Sequence, residues 1–123
     1  MRSLGELEAT IMRSMWRRED HATVRDVHDE LAADREIAYT TVMTVMDRLW
    51  RKGLLERTAA GRAFAYRPAL DEAEYTARLM QQLLRTATDR RGALAHFVKG
   101  MPEADEAELL RLAKEAARKK RAR

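Results

Sequence analysis

The sequence predicts a mainly α-helical chain with a small β wing: an N-terminal winged helix-turn-helix followed by a C-terminal helical dimerisation domain. Three observations carry this. Apolar residues recur at helical spacing in three successive stretches before residue 53, two short alternating runs flank a glycine between 54 and 68, and helical periodicity returns from residue 71 with narrower apolar faces. The order is α-α-α-β-β and then helices alone. The boundary falls near residue 70, giving a winged-helix domain over 1–70 and a helical domain with a basic tail over 71–123.

Each element has its own signal. Leu4, Leu7, Ile11 and Met15, widened by Met12 and Trp16, mark a helix over roughly 4–17. The polar run 17–21 ends it. Thr23 stands at an N-cap position three residues before Asp26, and Val24, Val27 and Leu31 form a short second helix to about Ala33. In the next connection, Ile37 offers a minimal strand. Val42, Val45, Met46 and Leu49 then repeat at i, i+3, i+4 and i+7 within 39–52, and Gly53 closes the third helix. Leu55, Arg57 and Ala59 alternate with Glu56 and Thr58. After Ala60 and Gly61, Phe64 and Tyr66 share a face opposite Ala63, Ala65 and Arg67, so a hairpin is expected, closed by Pro68. Helices over 71–88, around 91–99 and from Pro102 complete the chain, the first and last opened by acids that suit the helix dipole.

Charge separates along the chain. Residues 39–70 hold six basic groups against Asp47 and Glu56, and 111–123 hold seven against Glu115, whereas the other two segments are net acidic. Basicity confined to one internal block and one tail points to a polyanion for particular faces rather than to a uniformly basic surface. The third helix sharpens this. Its outward stripe carries Thr40, Thr44, Asp47, Arg48 and Arg51, with Thr41 at the margin, and three threonines in five residues are not what helix propensity would select. Threonine hydroxyls can meet base edges, and threonine and Met43 can offer a methyl to thymine. Arg48, Arg51 and Lys52 can reach phosphates, and Arg62 stands at the wing tip beside the turn glycine. The expected DNA-binding residues are therefore Thr40, Thr41, Met43, Thr44, Arg48, Arg51, Lys52 and Arg62, with the third helix in the major groove. Tyr39, Phe64 and Tyr66 are spaced for packing between wing and helix rather than for stacking on single strands. The alternative is a non-enzymatic protein-interaction or RNA-binding module that uses the same basic faces.

Enzymatic classes find little support. The chain has no cysteine, so thiol catalysis, disulfides and thiolate metal sites are absent. Its two serines, Ser3 and Ser14, lack a base in sequence context, and His21, His28 and His96 show no metal-ligand spacing. No catalytic residue, metal or cofactor is expected. No apolar run is long enough for a membrane span and the first residues lack a signal-peptide core, so a cytoplasmic protein without membrane insertion is expected.

The string TTVMTVMDRLWRKGLLER followed by GRAFAYRP resembles the BlaI/MecI family of penicillinase repressors, which is grouped with the CopY-type copper regulators. Glu8, Ile11, Met12 and Trp16 match that family's opening motif, and VRDVHDEL over 24–31 its second helix. The resemblance covers nearly the whole chain, most specifically from Leu4 to Pro68. It implies a homodimeric winged-helix repressor acting in a β-lactam or cell-wall stress response. The family's recognition-helix positions fall on Thr41, Thr44 and Arg48, and its wing motif on Gly61, Arg62, Phe64, Tyr66 and Pro68. Copper-sensing members carry cysteine pairs near the C-terminus, so the lack of cysteine excludes a thiolate copper switch here.

The C-terminal helices point to self-association in their own right. Their apolar faces are too narrow to close a core alone, and pairing with a second copy would bury Met80, Leu83, Leu84, Leu94, Phe97, Leu109 and Leu112. Two-fold symmetry then requires a palindromic operator. In the resembled family a membrane sensor protease, of the BlaR/MecR type, ends repression by cutting the dimerisation domain at an Asn–Phe bond. LAHFVKG aligns there, which implies the bond His96–Phe97, with histidine in place of asparagine. Phe97 is equally readable as a dimer-core residue. The cluster Arg118–Arg123 reads as a solubilising end or as a flexible tail adding non-specific attraction.

Overall fold

The structure, a computed structural model, describes residues 5–122. Ser3, the Leu4 expected to open the first helix, and Arg123 at the end of the tail lie outside those residues. The chain divides into two compact units, Met1–Met80 and Gln81–Arg123.

In the first unit α1 (Glu6–Arg17) buries Ile11, Met12 and Met15 on one side. A two-residue strand β1 (Ala22–Thr23) leads into α2 (Val24–Ala32), whose Val24, Val27 and Leu31 face the same core. A reciprocal cap fixes this junction. Asp26 N–H donates to the Thr23 hydroxyl at 3.1 Å, and Thr23 N–H donates to the Asp26 carboxylate at 2.9 Å. The hydrogen bond from the Thr23 backbone holds the Asp26 carboxyl below its ordinary value. Helix α3 (Tyr39–Arg51) buries Val42, Val45, Met46 and Leu49, the four residues its periodicity selects.

Strands β2 (Leu55–Ala60) and β3 (Ala63–Pro68) form the hairpin, in register from Leu55 opposite Pro68 to Ala60 opposite Ala63. The connecting turn is two residues long and begins with Gly61 at φ +65°, a left-handed conformation that a side chain would disfavour. The sheet order is β1-β3-β2, all antiparallel, with Ala22 opposite Tyr66. The third strand is thus Ala22–Thr23 and not the residue expected at Ile37. Ile37 is half-buried in a non-strand connection, and its carbonyl accepts a hydrogen bond from His28 Nε2 at 2.9 Å, which takes up the group a ladder would need. That contact also fixes the His28 tautomer with the proton on Nε2.

Trp16 holds the start of α4 (Glu72–Thr86) against this core. Its indole N–H donates to the Leu70 carbonyl at 3.0 Å, and its ring lies 5.6 Å from that of Tyr75, the buried residue of α4. Leu70 and Leu79 pack against the same core.

In the second unit, α5 (Arg90–Lys99) begins at Asp89, whose carboxylate accepts from Gly92 N–H at 2.9 Å, and ends at Gly100. Pro102 precedes α6 (Glu103–Arg121). Neither α5 nor α6 has a buried residue. The basic tail, read from sequence as a flexible segment or a solubilising end, is helical through Arg121. No helix among the described residues is long and apolar enough to cross a membrane.

Candidate nucleic-acid interface

With Val42, Val45, Met46 and Leu49 turned inward, the geometry of α3 forces its other residues out. Thr40, Thr41, Thr44 and Arg48 line one open, shallow depression together with the edge of Val45. Met43 is exposed on the opposite margin, two turns before Trp50. The helix also differs at its start from its neighbours. Helices α1, α2, α4 and α6 carry acids in the first turn, but α3 has none, and Ala38 gives it no side-chain cap. Its partial positive charge therefore faces outward without a carboxylate to neutralise it.

The hydroxyls on this surface are not equivalent. Thr44 Oγ1 donates to the Thr40 carbonyl at 2.9 Å, so its proton is spent within the helix. What Thr44 can offer a base is its lone pairs and its methyl, which suits an amino group or a thymine.

The cations differ as well. Arg48 and Arg62 carry no ion pair among the described residues and are exposed. Arg51 is held by Asp47 at 2.8 Å, an exposed i,i+4 pair that exchanges at little cost. Lys52 stands apart from the rest. Its ammonium meets Glu8 Oε2 at 2.7 Å, and Glu8, on α1, is itself buried, so Lys52 pins the end of α3 to the first helix. This contact also gives Glu8 of the opening motif a structural role.

Arg57 is not among the DNA-binding residues expected from sequence, yet it joins the wing to α3. Its guanidinium lies 3.4 Å from the Trp50 ring centroid and 4.0 Å from that of Phe64, and it donates to Asp47 at 3.3 Å. A cation between two rings, with a carboxylate at its edge, is a favourable and partly desolvated arrangement. The signal was present in the alternation, because Arg57 shares the inward face of β2 with buried Leu55 and sits diagonally from Phe64 across the ladder. Tyr66 packs into the core at 2% exposure. Phe64 remains 43% exposed and packs on Arg57, which in turn stacks on Trp50 of α3, and on the edge of Tyr66.

The residues expected at a dimer interface occupy the second unit and the end of the first. Met80, Leu83, Leu94, Phe97, Leu109 and Leu112 are exposed, Leu83 to 72%, and Leu84 is half-buried. Val98 and Leu110 are exposed beside them. Isolated exposed leucines are ordinary, but each of these three consecutive helices carries several exposed apolar side chains, of the kind that mark an interaction site. His96 and Phe97 lie inside α5, both exposed. Among the described residues there is no group of three or more His, Asp or Glu able to hold a metal ion.

Comparison with known proteins agrees with this architecture. The family model described as penicillinase repressor matches residues 4–117. The transcriptional regulator BlaI of Mycobacterium tuberculosis is 45% identical over 113 residues, covering 89% of this chain and 81% of that protein. The penicillinase repressor of Bacillus licheniformis is 31% identical over 74 residues, covering 58% of this chain and 56% of that one. Among solved structures, the DNA-binding domain of the repressor BlaI matches with a TM-score of 0.53 at 29% identity, over 59% of this chain and 88% of that domain. Monomeric Bacillus licheniformis BlaI in complex with the blaP half-operator matches with a TM-score of 0.50 at 28% identity, over 60% and 89% of the two chains. The chain belongs to the penicillinase repressor family, whose members are winged-helix, non-enzymatic, DNA-binding transcriptional regulators.

Proposed function

We propose that this chain represses transcription as a homodimer on a palindromic operator, with residues 1–70 binding DNA and 71–123 supplying the dimer contacts. In this reading α3 lies in the major groove. Thr40, Thr41, Met43 and Thr44 face base edges, Arg48 and Arg51 meet bases or phosphates, and Arg62 reaches the backbone from the wing tip. Lys52 contributes chiefly by holding α3 against Glu8. The observation that carries the reading is the exposed surface formed by Thr40, Thr41, Thr44 and Arg48 at a helix whose start bears no acid. A similar protein, Bacillus licheniformis BlaI, has been solved in complex with a half-operator, which supports operator DNA as the ligand.

A competition gel shift tests it. The chain's own upstream region, carrying a dyad, should displace the protein from random duplex, and the affinity should fall about 10³–10⁵-fold between roughly 50 and 200 mM salt if about 6–10 phosphates are neutralised. Equal affinity for all duplexes, or preference for RNA, would point to the non-specific module instead.

The same reading extends to release. The repressor works in the cytoplasm, and the signal is a β-lactam or cell-wall stress relayed by a membrane sensor protease of the BlaR/MecR type, which cuts at His96–Phe97. That bond lies within a ten-residue helix, so α5 must open before a protease can take it in extended form. Cutting there separates α6 from the rest and removes its share of the interface, after which each half-site is bound without the advantage of linkage. Mass spectrometry of the protein from induced cells should find a fragment ending at His96; intact protein in derepressed cells would exclude this route.

A further inference from the structure

One side of α6 carries cations that the reading surface of α3 does not use. Arg111, Lys114, Arg118 and Arg121 succeed one another at intervals of three, four and three residues, so they share one face, and with Glu115 they line one open groove. Arg111 is neutralised by Glu108 and Glu115, and Lys119 is paired with Glu115 at 3.6 Å. Lys114, Arg118 and Arg121 carry no ion pair among the described residues. Complementing the helix dipole accounts for Arg118 and Arg121 in the last turn but not for Lys114, which lies a turn earlier on the same stripe. On the opposite side of the helix stand Leu109, Leu112, Ala113 and Ala116, about half a turn away. A second copy of the chain seated on that apolar side would leave Arg118 and Arg121 uncovered, with exposed Leu110 bordering the stripe one turn before Lys114.

We propose that Lys114, Arg118 and Arg121 form a second polyanion-binding surface, which meets the sugar-phosphate backbone of duplex DNA without reading its sequence. From Lys114 to Arg121 the helix rises about 10 Å, a length over which duplex DNA presents several phosphates, one charge per ~1.7 Å of axis. Three unpaired cations on that length face about six phosphate charges of opposite sign, and the two arginines can grip phosphate oxygens bidentately. The choice of duplex DNA as the polyanion rests on the reading of α3 as an operator-binding helix, since a chain that binds an operator works among an excess of duplex backbone. The surface would hold the protein on non-specific DNA while it searches and would add a sequence-independent increment at the operator.

The test uses the full chain and its Lys114→Gln/Arg118→Gln/Arg121→Gln variant, with a random-sequence duplex and the chain's upstream region as probes. Glutamine is a good helix former and all three positions are exposed, so helix content and self-association should not change. The single variant Arg118→Glu provides a second route should the triple variant fold poorly. The affinities for both probes should fall by the same factor, at least about tenfold near 0.1 M salt, and the salt slope should drop by about 0.9 for each lost cation that meets a phosphate. Unchanged affinity and slope would overturn the proposal. So would loss of binding to mixed phosphatidylserine–phosphatidylcholine vesicles with duplex binding intact, which would assign the stripe to a membrane surface. The parent's preference for its upstream region, set beside the loss in the stripe variant, separates the two readings: if the parent never prefers its upstream region but the stripe variant still loses duplex affinity, sequence reading by α3 fails and the stripe stands. Retained preference for the upstream region with an unaffected stripe variant removes the stripe alone.

Discussion

The two units bury their apolar residues in opposite ways. The winged unit gathers side chains from three helices and a sheet, and Ile11, Met12, Met15, Val27, Val42, Met46 and Leu49 are fully buried there. Helices α5 and α6 bury none, although Leu94, Phe97, Leu109 and Leu112 are as apolar as anything in the first core. The lesson concerns layers. Three helices and a hairpin enclose a volume, whereas consecutive helices with one narrow stripe each have apolar surface to spare, and a second copy is the simplest way to cover it.

Substitutions on either side should expose that difference. Leu49→Ala in the winged core should cost about 2–5 kcal/mol of stability, and by the same amount at every protein concentration in denaturant titrations. Phe97→Ala or Leu112→Ala should instead weaken self-association by roughly 2 kcal/mol, read by sedimentation as dissociation at higher concentration while the melting of the winged unit stays put. A concentration-independent loss from Phe97→Ala would mean that the second unit closes on itself.

Within the winged unit, Arg57→Ala removes the bridge between wing and α3. It should weaken duplex binding by about 1–2 kcal/mol, and a comparable loss, within about 1–3 kcal/mol, is expected for Arg48→Ala and Arg62→Ala. The distinguishing readout is stability. Arg57→Ala should also lower the melting temperature, whereas the exposed Arg48 and Arg62 should leave it unchanged. Thr44→Val keeps a methyl but loses the lone pairs, so it should alter base preference by about 1 kcal/mol or less without changing the salt slope; selection from a randomised operator library would reveal the shift.

The smallest effect is one of pH. The Asp26 carboxyl is held below its ordinary 3.8 by the Thr23 backbone N–H, so its contribution to stability is complete above that value and is lost as pH falls through the lowered folded one. Asp26→Asn should therefore flatten the acid limb of the stability profile. An unchanged acid limb in a urea titration series would show that the capping box does not contribute to it.

Fold and site were unequally legible in the sequence. The helices were readable because apolar spacing reports burial directly: Val42, Val45, Met46 and Leu49 had to face inward, which left the threonines and Arg48 outside. Thr23 was readable because a capping residue acts on its own neighbours. What escaped were contacts between residues distant in sequence. The placement of the third strand at Ala22–Thr23 depends on which segment reaches the edge of β3, and two residues carry no alternation to detect. Lys52 looked like a phosphate contact because its partner Glu8 lies 44 residues away. Arg57 passed as an ordinary hairpin arginine because Trp50 sits on another element. The basic tail concealed its helix because charged residues show no apolar period, although the intervals of three and four at Arg111, Lys114, Arg118 and Arg121 were there to count.

The stacking of Arg57 on Trp50 has an optical consequence. The chain has two tryptophans, and they occupy different electrostatic settings. Trp16 is anchored to the Leu70 carbonyl, while Trp50 lies at the surface under a guanidinium shared with the wing. A charge held 3.4 Å above an indole ring shifts its emission, and that shift depends on where the wing sits. With Trp16 replaced by phenylalanine, the remaining fluorophore becomes an intrinsic reporter of wing position, so that a wing that shifts on engaging a duplex should announce it by a change of colour, with no label on the protein or the DNA.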